Sequence, residues 1–174
     1  MVGLSGNSSL IAKEQQFLTA LGLDCLPLQN DADWQLIDSL VISGLSIRDW
    51  PNPEKIAANL KNPCWHRRPV LADGWGCVFL DKNISGILNC RILERPSFAR
   101  HTELIHIPSW EKERTLAFFA PDIYFTSIAP NIAVLAHNKS RGPVIIRQGN
   151  VLAMSFLSVL SRNPEIYHYY RRMF

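Results

Sequence analysis

Three histidines and a set of arginines carry most of the solution chemistry open to this sequence. His66 leads a His-Arg-Arg cluster with Arg67 and Arg68, between Pro63 and Pro69. His101 and His106 stand five residues apart, on or beside a later strand. Two imidazoles flanking one phosphate would cleave RNA without a metal. One takes the 2′-OH proton, the other protonates the leaving oxygen, and an arginine steadies the charged phosphorane. His66, His101 and His106 are thus the candidate catalytic residues of a small metal-independent ribonuclease. Scattered histidines serve as readily on the surface or in a hydrogen-bonded core, and nothing in the spacing makes these three converge.

The basic side chains suggest binding more than catalysis. Of the 15 Lys and Arg from residue 61 onward, 11 are Arg. Arginine grips phosphate bidentately, and neighbouring aromatic rings stack on bases. The candidate nucleic-acid contacts are Arg67, Arg68, Arg91, Arg95, Arg100, Lys139, Arg141, Arg147, Arg171 and Arg172. The last two close the run Tyr167-His168-Tyr169-Tyr170-Arg171-Arg172. Such contacts would position the protein on a phosphate backbone and carry no base specificity. The competing reading is local: two arginines in a last helical turn also suit the helix dipole with no ligand present.

Charge is unevenly divided. Residues 1–60 hold three basic residues (Lys13, Arg48, Lys55) against seven acidic ones (Glu14, Asp24, Asp31, Asp33, Asp38, Asp49, Glu54). The remaining 15 basic and 8 acidic residues lie beyond, so a basic body follows an acidic N-terminal third. That asymmetry points to a polyanion or an acidic partner and says nothing of fold.

Metal and cofactor patterns are weak. Cys64 and His66, with Cys77 and Cys90 downstream, lack the paired cysteine knuckles of a zinc site. His101-Thr102-Glu103 has no Pro-Cys-x-x-Cys after it, as a zinc deaminase requires. Gly74-Trp75-Gly76 begins like a dinucleotide loop, but Phe79 stands at the third glycine position. The expectation is no metal, no cofactor and no evident small-molecule substrate. The four cysteines read as reduced, mostly buried thiols.

The elements that must position these residues follow from periodicity and breakers. Ile11–Leu21 has the spacing of a helix, closed by Gly22. Trp34–Val41 reads as a second helix. Asn52-Pro53-Glu54 opens a third, to Leu60. From Val70 the pattern turns to strands: Trp75–Leu80, apolar on both faces, then Ile87–Leu93, Glu103–Ile107, Thr115–Phe119, Ile123–Ile128, Ile132–Ala136 and Val144–Arg147. Short connections among the later strands favour antiparallel neighbours. Val151–Leu160 reads as a helix capped by Asn150, and Asn163-Pro164-Glu165 opens a last one. The predicted class is α+β, with N-terminal helices, a central and mostly antiparallel sheet, and C-terminal helices. It is one domain over 1–174, with an acidic helical part at 1–62 and a basic sheet-plus-helix part at 63–174. The opening MVGLSGNSSLIAKEQQ lacks a basic and apolar leader pattern, and no apolar run has the length of a membrane span, so a cytoplasmic location without membrane contact is expected.

A layout over about residues 74–119 resembles the small accessory subunits of type III CRISPR effector complexes. It comprises the apolar Gly74–Leu80, a turn, the Arg-bearing Ile87–Leu93, and the charged Trp110-Glu111-Lys112-Glu113-Arg114 before another strand. The resemblance implies a non-catalytic subunit beside guide RNA or backbone proteins and transfers no site residue. With the charge split and the missing catalytic motifs, it gives the leading expectation: not an enzyme, but a subunit or adaptor of a multi-protein, RNA-containing complex in antiviral defence. The alternatives are the two-histidine ribonuclease and a protein-only interaction module anchored by Trp34, Trp50 and Trp110.

Overall fold

The computed structural model describes all residues except 96–100, 109, 111–113, 121 and 162. In chain order its strands and α-helices are β1 (Val2–Gly6), α1 (Ser8–Ala20), β2 (Cys25–Pro27), α2 (Asp33–Leu36), β3 (Ser39–Gly44), α3 (Pro53–Leu60), β4 (Val70–Gly74), β5 (Arg91–Arg95), β6 (His101–His106), β7 (Arg114–Phe119), β8 (Asp122–Thr126), β9 (Ala133–Asn138), β10 (Gly142–Gln148), β11 (Val151–Met154), α4 (Ser158–Ser161) and α5 (Glu165–Arg171). Seven strands form one sheet in the order β2-β1-β3-β4-β11-β10-β9. The first five in that order run parallel; at one edge β10 pairs antiparallel with both β11 and β9, so β9 again points with the first five. Two antiparallel ribbons, β5-β8 and β6-β7, stand apart from it.

The central strands are buried on both faces. β3 (SLVISG), β4 (VLADG) and β11 (VLAM) have no exposed residue, as parallel strands covered on both sides require. Their alternate side chains feed two cores. Leu40, Ile42, Val70, Ala72 and Ala153 face a layer holding Trp50, Trp65, Trp75, Phe79 and the β5-β8 ribbon. Val41, Leu71, Leu152 and Met154 face α1, α5 and the β6-β7 ribbon. Asn7 caps α1 through its side-chain oxygen, which accepts from Ser9 N at 3.2 Å and Leu10 N at 3.4 Å.

The α+β class with helices towards both ends holds, and the sheet is mixed. The differences are local. The segment read as a helix over Trp34–Val41 holds only the short α2 and then becomes β3. Trp75–Leu80 is a 3-10 helix, apolar all round because it packs between the sheet and the β5-β8 ribbon. The first part of Val151–Leu160 is β11. The acidic N-terminal part supplies β1, β2 and β3, so one sheet spans both charge halves.

Glycines set how closely the layers meet. A Cβ on Gly76 would lie 2.3 Å from the backbone oxygen of Ile42, whereas one on Gly86 would meet nothing nearer than 3.8 Å. G76A should therefore cost about 3 kcal/mol through overpacking. G86A, at φ 77, should cost only about 1–2 kcal/mol of backbone strain. Urea unfolding of the two variants against the parent measures the difference.

Candidate functional site: the turn at the end of β4

β4 ends at Gly74, with φ 51 and ψ −132, and the chain turns at once into the 3-10 helix Trp75–Leu80. A sharp strand-to-helix turn in a strained conformation is the device that lifts a nucleophile off the sheet in α/β hydrolytic enzymes. It lies at the carboxyl ends of the parallel strands, where open α/β sheets place their sites. Gly44, at the end of β3, is its register partner. The segment after β11 brings Leu157 and Ser158 to the same place.

The side chains at this turn are those of a packing joint. A Cβ on Gly74 would lie 2.5 Å from the oxygen of Gly44 and 2.7 Å from a Leu157 methyl. Leu157 is wholly buried with Leu10 and Val159, and Leu45 and Phe118 pack on them. The amides that follow Gly44 are occupied as well: Leu45 N and Ser46 N donate to one Asp49 carboxylate oxygen at 2.5 and 3.1 Å. The other oxygen accepts from the Asn7 side chain at 2.9 Å. Three residues past the turn, the Cys77 thiol is fully buried and hydrogen-bonded to the carbonyls of Ala72 and Met154. Burial pushes its pKa well above the ordinary thiol range, so it is held as an unreactive thiol.

Directly behind the turn is a buried acid cluster. Ser158 Oγ contacts Glu14 at 2.9 Å, Tyr167 OH at 3.4 Å and, in a short hydrogen bond, Asp73; its backbone N–H also donates to Asp73 at 2.7 Å. One hydroxyl proton cannot serve two carboxylates. The Ser158 hydroxyl is satisfied when Glu14 is protonated and donates to its Oγ, while Ser158 donates to Asp73. Burial, with the Asp73 charge nearby, raises Glu14 to about 8; burial raises Asp73 to about 6, opposed by its bonds to Ser158 and Ser43. Beside the turn, at the ends of β1 and β2, a cavity of about 260 Å³ opens between Trp34, Trp50, Asp49 and the Asp31–Lys55 ion pair.

No family model matches the chain. Curated relatives do. It is 23% identical over 190 residues to the pyridoxal 5′-phosphate synthase subunit PdxT of Thermotoga maritima, covering 99% of this chain and 98% of that one. It is 26% identical over 167 residues to the PdxT subunit of Francisella tularensis, covering 92% of each. Among solved structures, a glutamine amidotransferase superposes with a TM-score of 0.82 at 17% identity, over 99% of this chain and 97% of that one. A putative GMP synthase subunit from Thermoplasma acidophilum superposes at 0.75 with 13% identity, over 99% and 92%. These likenesses fix the fold.

The comparisons overturn several expectations. The resemblance to CRISPR accessory subunits fails, because the end-to-end likeness is to glutamine amidotransferases and synthase subunits. With it go the RNA-complex adaptor, the antiviral setting, and the expectation of a chain that is not an enzyme, since these relatives bear the names of enzymes and enzyme subunits. The geometry removes His66 from the pairings of the ribonuclease alternative, and His101 and His106, five residues apart on one strand, stand on opposite faces of it. His66 follows Trp65 on one face of the sheet, whereas His101 and His106 lie on the β6-β7 ribbon over the other. Two of the tryptophan anchors, Trp50 and Trp110, are buried, and Trp34 is half-buried, packing edge-on against Trp65.

Arg68, Arg91, Arg95, Arg141 and Arg147 have partners within the protein. Arg68 donates to the carbonyl of Ile37 at 2.9 Å, Arg91 pairs with Asp81, and Arg95 lies over Tyr124. Arg141 is buried, pairing with Asp122 at 2.6 Å beside His101 and stacking on Phe119. Arg147 bonds Tyr169 and Gly149. Arg67, Lys139 and the adjacent Arg171 and Arg172 at the end of α5 are exposed, and Arg100 lies outside the described residues. Among the described residues no three His, Cys, Asp or Glu side chains group as metal ligands. Sequence reasoning weighed Gly74 only as the start of a dinucleotide loop and did not single out Leu157, Asp73, Ser158 or Glu14 as site residues. A usable signal was present in Ala-Asp-Gly-Trp-Gly after an apolar run, which marks a strand meeting a tight turn.

Because both acids are raised in the folded state, folding favours their protonated forms. The cluster's stability is fully present below about pH 4, where the unfolded acids are also protonated. It is lost as pH rises through about 6 and then 8. E14Q keeps a donor towards Ser158 without the titration. Chemical unfolding across pH 4.5–8.5 should show the parent losing on the order of a few kcal/mol relative to E14Q.

Proposed function

We propose that this chain is an amidotransferase-type subunit that works with a synthase-type protein on a carboxamide nitrogen donor of the glutamine class. The observation that carries the reading is the end-to-end likeness to the PdxT subunits, in which neither chain has a large unmatched part. The superposition on a glutamine amidotransferase supports the same assignment. A protein partner replaces RNA in this reading, in keeping with Arg141 and Arg68, which are spent on internal bonds. The overall reaction converts a carboxamide and water to a carboxylate and ammonia, and the partner consumes the ammonia. No helix among the described residues is long and apolar enough to cross a membrane, and we assign the subunit to the cytoplasm with its biosynthetic relatives.

The test is recovery of a tagged chain from its native cell at about 0.5 M salt, a concentration that strips phosphate contacts. The expected result is one synthase-type protein in stoichiometric amount, whose nitrogen-incorporating reaction in the complex runs on glutamine. Recovery of RNA alone, or of a complex that runs on ammonium salts and never on glutamine, would overturn the reading.

A further inference from the structure

Cleaving a carboxamide by a covalent route makes three demands on a strand-end turn. A nucleophilic side chain must stand on the turn, a base must lie within hydrogen-bond reach, and unoccupied donors must face the developing oxyanion. The backbone at Gly74 has the geometry for the first demand, and the residues meet none of the three. Position 74 carries no side chain, and the space a Cβ would enter is bounded by the Gly44 oxygen and a Leu157 methyl. Leu157, Leu10 and Val159 form an apolar plug where a base would have to stand. The amides of Leu45 and Ser46, the donors that follow Gly44, are taken by the chain's own Asp49 carboxylate.

The neighbouring groups do not substitute. Cys77 faces the carbonyls of Ala72 and Met154 and is fully buried. Ser158 donates to the Asp73 carboxylate, a group able to accept its proton, but Ser158, Glu14 and Asp73 are 0, 0 and 1% exposed, so no substrate reaches the hydroxyl. The cluster ties the end of β4 to α4 and α1 and does not open to the surface.

We infer that the turn at Gly74 is a nucleophile turn closed by Leu157 and Asp49, and that no acyl-enzyme forms on it. The inference rests on the amidotransferase-type reading only for the choice of substrate. A carboxamide cleaved by the complex is cleaved with a nucleophile brought from outside this turn. Asp49 stands in for the anionic intermediate at the backbone amides, and Leu157 stands in for the side chains that would surround the reacting carbon.

The experiment is alkylation by a glutamine analogue bearing a chloromethyl ketone in place of the carboxamide, read by intact mass and peptide mapping. It is run on the chain alone and on the complex recovered from cells. Expected is no adduct within residues 70–80 in either sample. The G74C/L157A variant, which supplies a thiol and removes the Leu157 methyl so that only the Gly44 carbonyl must give way, should be labelled at position 74 at least ten-fold faster than any position of the parent. An adduct at Cys77 or elsewhere in that segment of the parent overturns the inference. So does a folded variant, checked by far-UV circular dichroism, that stays unlabelled at position 74, because the turn is then not a nucleophile turn. Failure to recover a synthase-type partner overturns the proposed function alone, since labelling of the isolated chain does not depend on it.

Discussion

Backbone against backbone at the carboxyl ends of β1, β3 and β4 is the constraint on which the rest of the structure depends. A Cβ on Gly6 would lie 1.8 Å from the oxygen of Ser43, one on Gly74 2.5 Å from that of Gly44, and one on Gly76 2.3 Å from that of Ile42. Approach this close needs residues without side chains, and at Gly6 and Gly74 it also needs positive φ. It lets β4 turn straight into the Trp75–Leu80 helix, so that Trp75 and Phe79 reach Trp50 and close one core. The same turn sends Asp73 into the other layer, to Ser158. The two faces of the sheet are thus coupled at one turn.

The acid cluster behind that turn is costly in isolation. Removing two carboxyl groups from water costs least when at most one carries charge and that charge is hydrogen-bonded. Ser158 makes this possible by accepting from a protonated Glu14 and donating to Asp73, with a backbone N–H as the second donor to Asp73. The result is directional. α1 supplies the proton, β4 holds the charge, and the start of α4 bridges them, so three elements far apart in sequence are locked in one geometry. Apolar contacts alone tolerate sliding, and this cluster does not.

Much of the fold was legible in the sequence, and the site was not. The later strands alternate cleanly, as in β7, where Thr115, Ala117 and Phe119 are buried between more exposed neighbours, so period-two patterning located them. β3 and β11 are short continuous apolar runs, which periodicity cannot distinguish from buried helix, and both read as helix. Trp75–Leu80 failed in the opposite sense, since a 3-10 helix packed on all sides has no polar face to betray it. The turn at Gly74 was invisible for a chemical reason. Motif reasoning searches for residues that act, and here the informative position holds a residue with no side chain.

The arginine bias misled for a related reason. A guanidinium suits phosphate because it is planar, weakly hydrated and able to bond and stack at once, and those properties suit a protein interior equally. Arg141 uses them internally: it is buried, bonds Asp122 and lies 4.2 Å over the Phe119 ring. Arg147 caps the turn at Gly149 and holds Tyr169 of α5 against the sheet edge. Arg91 closes the loop at Asp81, which also accepts from the amides of Asn83 and Ile92. In each case a cation ties an edge or a ribbon to the body of the sheet, where aliphatic side chains would leave carbonyls and carboxylates unpaired. At these three positions the preference for arginine over lysine follows from the protein's own packing and hydrogen bonding.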